Sequence, residues 1–176
     1  ETQKTDLSHI SRIQPYTTGK FMVIDSSTRR NLELVETLRE KNKRGSLLWV
    51  LDKTSTAMGR RLLRSYIDRP LLDPVKIDKR LYAVEEFVND PMLCEDIAEE
   101  LSGIYDLERT MTRIVFGNAN PKEYKTLAAS IGKLPKIKGL LSGTKSPLLY
   151  ELRENIDLLE DIKNLRTFGP NNATEL

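Results

Sequence analysis

The sequence predicts an all-α protein, an irregular bundle of about seven or eight helices, and three observations carry that prediction. From about residue 26 onward, apolar residues recur at i, i+3, i+4 and i+7, the period of a helix with one buried face. Three helix starts are written as a capping residue followed by proline: Asp73-Pro74, Asn120-Pro121 and Ser146-Pro147. Only one short stretch, Phe21 to Ile24, reads as something else, either a strand or an apolar lead-in to a helix.

Taken in order, Asp25 or Ser26 caps a first helix whose inner face is Leu32, Val35 and Leu38, ending near the basic loop Lys41 to Gly45. Ser46 starts a short apolar helix through Leu51. Thr54 or Ser55 caps the next, which presents Met58, Leu62, Leu63, Tyr66 and Ile67, and Pro70 stops it by disfavouring helical geometry in the residue before it. The helix opening at Pro74 carries Ile77, Leu81, Val84 and Val88 as its expected inner stripe. Helices bearing Leu93, Ile97 and Leu101, then Leu107, Met111 and Ile114, follow. The Pro121 helix carries Tyr124, Leu127, Ile131 and Leu134. The Pro147 helix carries Leu148, Leu152, Ile156 and Leu159, with Ile162 as its furthest extension. Each stripe is single, so each helix needs neighbours to bury it. Residues 1–165 are read as one domain and 166–176, where the period is lost, as a tail or a deletion boundary.

Composition narrows the function classes. With 39 % hydrophobic and 31 % charged residues, 176 residues suffice for one sizeable core. No apolar run approaches the roughly 18 residues of a membrane span, and a cytoplasmic protein is expected. The lone Cys94 excludes an internal disulfide. Net charge is +2, unevenly spread: residues 1–80 hold 17 Lys+Arg against 10 Asp+Glu, a net of +7, and residues 81–176 hold 11 against 16, a net of −5. Such a division suits either a basic face toward nucleic acid or two halves that neutralise each other in the fold.

Catalytic motifs are sparse. Gly19-Lys20 and Gly132-Lys133 lack both the upstream glycine and the following Ser or Thr of a phosphate-binding loop. One histidine (His9) and one cysteine cannot build a zinc site, and His9 has no evident partner for nucleophilic catalysis. The acidic sets Glu95, Asp96, Glu99, Glu100 and Asp157, Glu160, Asp161 are expected on solvent faces, and Cys94 as a small buried or half-buried side chain. The expected catalytic, cofactor and metal residues are therefore none. Arg60, Arg61 and Arg64, within about a turn of one helix, are the candidate weak contacts to a DNA backbone, although they serve equally well as partners for acidic side chains on neighbouring helices.

Two runs, Met22 to Leu34 (with Asp25-Ser26-Ser27-Thr28-Arg29-Arg30-Asn31-Leu32) and Gly45 to Arg64 (with Leu51-Asp52-Lys53-Thr54-Ser55-Thr56-Ala57-Met58-Gly59-Arg60-Arg61), are followed by Pro70-Leu71, Ile77 to Val84, Asp106-Leu107-Glu108-Arg109, Gly117 to Pro121 and Leu134-Pro135. Over residues 1–165 this order resembles the middle core-and-lever region (domain III) of the MutS family of DNA mismatch-repair proteins. The resemblance implies a structural segment, without its own catalytic or nucleotide site, that links the mismatch-binding and clamp regions to an ATPase domain. It also implies a parent that binds mismatched double-stranded DNA, hydrolyses ATP with magnesium, forms a homodimer and binds MutL. The reading domain's Phe-x-Glu, the phosphate-binding loop and the clamp do not appear in the sequence. Residues after about 163 depart from the family pattern, and Tyr66 stands where tryptophan is expected. Two other readings stand beside it: a free-standing helical adaptor for protein partners, and the core of a MutS relative that acts on recombination intermediates.

Overall fold

The computed structural model describes residues 18–160. Among them are nine α-helices: α1 (Ser26–Asn31), α2 (Leu47–Leu51), α3 (Ala57–Asp68), α4 (Pro74–Asn89), α5 (Pro91–Ser102), α6 (Leu107–Val115), α7 (Pro121–Ile131), α8 (Leu134–Leu140) and α9 (Pro147–Asn155). Short 3₁₀ turns lie at Thr18–Lys20 and Leu141–Gly143. The all-α expectation holds. The N-terminal apolar stretch contributes only an isolated antiparallel bridge, Phe21 with Leu71, flanked by Met22 N–H donating to the Pro70 carbonyl at 2.8 Å. His9 and the 166–176 tail lie outside the described residues, and no helix among those described is long and apolar enough to cross a membrane.

Helix starts follow local chemistry. Asp25, Ser46, Asp73 and Asp106 accept hydrogen bonds from backbone amides two or three residues on, so each satisfies a donor that the first turn leaves without a partner. Asn120 and Glu123 form a reciprocal capping box at the start of α7, ahead of Pro121. Thr56, rather than the expected Thr54 or Ser55, caps α3. The three capping-residue–proline starts are all present, and a fourth, Asp90-Pro91, opens α5. Asp90 therefore both ends α4 and caps α5.

The first helix is shorter than its apolar pattern predicts. It ends at Asn31, and Glu33 takes a positive φ of 48° that an α-helix cannot continue through. Leu32 and Leu38 are then exposed, and Leu34 is the buried residue of the segment. Its neighbours pair with α2: Leu47 N–H donates to the Glu33 carbonyl and Leu48 N–H to the Leu34 carbonyl.

Helices α4, α5, α8 and α9 enclose the core, with α4 packed on α9 and α5, and α5 on α8. Ala83, Ile97, Ile104, Ile137, Leu141 and Leu149 are its buried centre, surrounded by half-buried Phe87, Leu93, Leu101, Leu134 and Leu148. At about 25 cal/mol per Å² of apolar area removed from water, each large side chain of this set contributes about 1.5–3 kcal/mol. α4 meets this core through Ala83 and Phe87, and the expected inner stripe faces the other way. Ile77, Leu81, Val84 and Val88 are 36, 58, 56 and 69 % exposed. The helix is apolar on two faces, and period alone did not say which one this chain covers. On α9 the buried residue is Leu149, whereas Leu152 is exposed and the helix stops at Asn155.

Candidate functional site

The polar side chains that join helices form the candidate site. Sequence reasoning put Arg60, Arg61 and Arg64 together on α3, and all three engage carboxylates. Arg60 Nε lies 2.8 Å from Asp52 Oδ2, with 66 % of its side chain exposed. Arg64 Nε is 3.7 Å from Asp68 Oδ2 and 53 % exposed. Asp68 also holds Arg29 of α1 at 2.5 Å. Arg61 reaches furthest. Its Nη1 donates to Asp106 Oδ2 at 2.6 Å and its Nη2 to Asp106 Oδ1 at 2.8 Å, a two-pronged contact that matches guanidinium to carboxylate, and Nη2 also meets Glu108.

The electrostatics follow the geometry. The Arg61 guanidinium beside Asp106, aided by the Arg109 amide, holds that carboxyl down at about 2, against an ordinary 3.8. Asp106 and Glu108 in turn raise Arg61 further above its already high value. The Thr54 hydroxyl lowers Asp52, with a smaller contribution from Arg60. Asp106 thus does two things at once: it caps α6 through the Arg109 amide at 3.3 Å and anchors α3 through Arg61.

Two further carboxylates join helices: Glu100, which the sequence placed on a solvent face, and Glu86, which sequence reasoning did not single out. Glu100, expected on the solvent face of α5, is buried at 5 % exposure. Lys136 Nζ donates to it at 2.6 Å and Lys133 Nζ lies 2.9 Å away, which together depress its pKa. Burial is tolerable because two cations replace the lost hydration. The i, i+3 pair of lysines after α7 was the available signal. Glu86 of α4 accepts the Lys145 and Ser146 amides at 2.6 and 2.7 Å, fastening the residues just ahead of α9 to α4, while the Ser146 side chain makes no capping bond of its own. The Ser146 hydroxyl is buried without a partner. Ser130, also buried, is satisfied: it donates to the Thr126 carbonyl and accepts the Tyr105 amide.

The other acidic residues of α5, Glu95, Asp96 and Glu99, are exposed, as is Cys94, which had been expected at least half-buried. Among the described residues no group of three or more His, Cys, Asp or Glu side chains is arranged to hold a metal ion.

These features define an all-helical module whose polar side chains fasten helix to helix. Residues 27–175 match the family described as MutS domain III, and the chain belongs to that family. It is 53 % identical over 164 residues to the DNA mismatch repair protein MutS of Lachnoclostridium phytofermentans, a match covering 93 % of this chain and 18 % of that protein. The MutS proteins of Alkaliphilus oremlandii and Clostridium perfringens are 53 % and 50 % identical, with 93 % and 94 % of this chain matched. The chain thus spans under a fifth of the length of these relatives.

Proposed function

We propose that this chain is the core-and-lever segment of a DNA mismatch-repair ATPase, a packed spacer linking the mismatch-binding and clamp regions to the ATPase domain. On this reading it performs no catalysis itself and holds no nucleotide. The parent binds mismatched double-stranded DNA, hydrolyses ATP with magnesium, works as a homodimer in the cytoplasm and engages MutL. Membership of the MutS domain III family carries the proposal. The exposed stripe Ile77, Leu81, Val84 and Val88 supports it, since an uncovered apolar face of this length suits a segment that packs against further chain.

Contacts to DNA from this segment are weak and confined to phosphates. Arg60 and Arg64 keep more than half of their side chains in solvent and can meet a passing backbone, whereas Arg61 has committed its guanidinium to Asp106 and Glu108. Fluorescence anisotropy with matched and mismatched duplexes across a salt series tests this division of labour. The expected result for the 176-residue chain, with its helix content verified by circular dichroism, is weak binding that vanishes with salt and ignores the mismatch. Mismatch-selective binding that survives physiological salt would place a reading surface on these helices and overturn the spacer reading.

A further inference from the structure

The described residues separate into two packing units. In the first, α2 packs on α3, Arg29 of α1 holds Asp68 of α3, and Arg60 holds Asp52. In the second, α4 packs on α9 and α5 and α5 on α8, while the α6–α7 pair is joined to them by Leu107 packed against the core and by the Tyr105 amide, after α5, donating to Ser130 of α7. Its polar ties are Glu100 to Lys133 and Lys136, Glu86 to the start of α9, Lys79 to Glu151, and Arg113 to Glu123. None of the extensive helix pairings crosses from α1–α3 to α4–α9.

What does cross is specific. Among the described residues, every ion pair and every hydrogen bond between the two units is made by Arg61, to Asp106 and Glu108. Two other contacts accompany it: Met58 resting on the edge of the core, and the Arg80 guanidinium 3.6 Å from the Tyr66 ring centroid. The Met58 contact is non-directional and the stacked Arg80 holds one ring face only, whereas the two-pronged Arg61–Asp106 contact fixes an angle. The covalent link is the five-residue connection 69–73, which leaves helical geometry at Arg69 ahead of Pro70 and is steadied by the Phe21–Leu71 bridge.

We propose that the 69–73 connection is a hinge between the α1–α3 and α4–α9 units, and that Arg61 closing on Asp106 and Glu108 is the latch that fixes their relative orientation. With the latch open, α3 swings on the hinge while both units keep their internal ties. The closed state depends on partly exposed charges, so it weakens with salt. The consequence for a spacer rests on the function proposed above, since such a spacer transmits orientation only while latched. The joint itself does not depend on that reading.

The test uses the full-length protein with spin labels at the exposed Cys94 on α5 and at Lys53→Cys between α2 and α3, other cysteines being replaced by serine. Double electron–electron resonance then reads the distance between the two units. The unsubstituted latch should give one narrow distance at about 0.1 M salt, broadening toward about 1 M, where the screening length falls from about 10 to about 3 Å. Arg61→Ala should make the distribution about two-fold broader already at low salt, as sampling of a second orientation requires. Glu86→Gln, which alters a tie inside one unit, should leave it narrow. Arg61→Lys, which keeps the charge and loses the two-pronged geometry, should fall between, and it serves with the salt series if Arg61→Ala does not fold. A distribution that stays equally narrow in Arg61→Ala, or in Arg61→Lys and across salt, overturns the latch. Mismatch-stimulated ATP hydrolysis is measured on the same variants. Broadening without any change in that coupling keeps the latch and refutes the spacer reading instead.

Discussion

Replacing Asp106 by asparagine separates the two tasks of that carboxylate. Asparagine caps a helix about as well as aspartate, so the bond from the Arg109 amide survives, whereas the charge facing Arg61 is removed. The depression of Asp106 from 3.8 to about 2 sets a ceiling of roughly 2.5 kcal/mol on the ionic contribution, at 1.36 kcal/mol per unit. Solvent at Arg61, whose side chain is 39 % exposed, screens this to about 1–2 kcal/mol. Asp106→Ala loses the cap as well and should cost about 1 kcal/mol more. Urea unfolding at pH 7, in low salt and in about 1 M salt, measures both. The Asp106→Asn deficit should shrink in high salt while the further loss on going to alanine stays constant. Because the folded carboxyl titrates below its unfolded value, the stabilisation is fully present above about pH 4. It should fade as the pH drops from there toward 2, and Asp106→Asn should lack that part of the acid dependence. An Asp106→Asn protein as stable as the original in low salt would refute the ionic account of this joint.

Other sites give independent expectations. Leu149→Ala, in the buried core on α9, should lower stability by about 2–5 kcal/mol, read from the urea midpoint; a loss under about 1 kcal/mol would mean that the core closes over the cavity or does not depend on this residue. Glu86→Ala should leave the Lys145 and Ser146 amides, just ahead of α9, without their acceptor and cost about 1–2 kcal/mol, with hydrogen exchange of those two amides accelerated and that of α6 unchanged. Glu100→Gln leaves Lys133 and Lys136 facing an uncharged partner, so the thermal midpoint should fall at pH 7. The difference should narrow in acid, where the original carboxylate is itself protonated; an unchanged midpoint at pH 7 would show that the two lysines contribute nothing through it.

How much of this was legible in the sequence depends on how local the cause is. Asp73-Pro74 and Asn120-Pro121 mark true helix starts because capping and the proline restriction act within four residues, and at Ser146-Pro147 the proline alone supplies the local signal, since the Ser146 side chain makes no capping bond. The stripe of α5, with Ile97 at its centre, was right because that helix is apolar on one face only. The stripe of α4 was assigned inward and lies outward. Amphipathic period identifies an apolar face, while its covering depends on partners far along the chain or beyond it. The same distance dependence hid the site. Nothing near residue 100 announces that Lys133 and Lys136 will arrive beside Glu100, and nothing near Arg61 announces Asp106, 45 residues later. The early end of α1 was missed for the opposite reason: its apolar pattern runs on, but Glu33 adopts a left-handed conformation that propensity did not favour.

The Asp90-Pro91 step bears on how this architecture tolerates change. A residue ahead of proline resists helical geometry and Pro91 offers no amide, so α4 and α5 are kept as two rods meeting at a one-residue elbow. Replacing Pro91 by alanine would remove the only local bar to an uninterrupted rod from Pro74 to Ser102, since no other residue in that span forbids it. With that bar gone, only the packing of α4 on α9 and of α5 on α8 would hold the two rods at their present turn, so the elbow would rest on distant contacts alone.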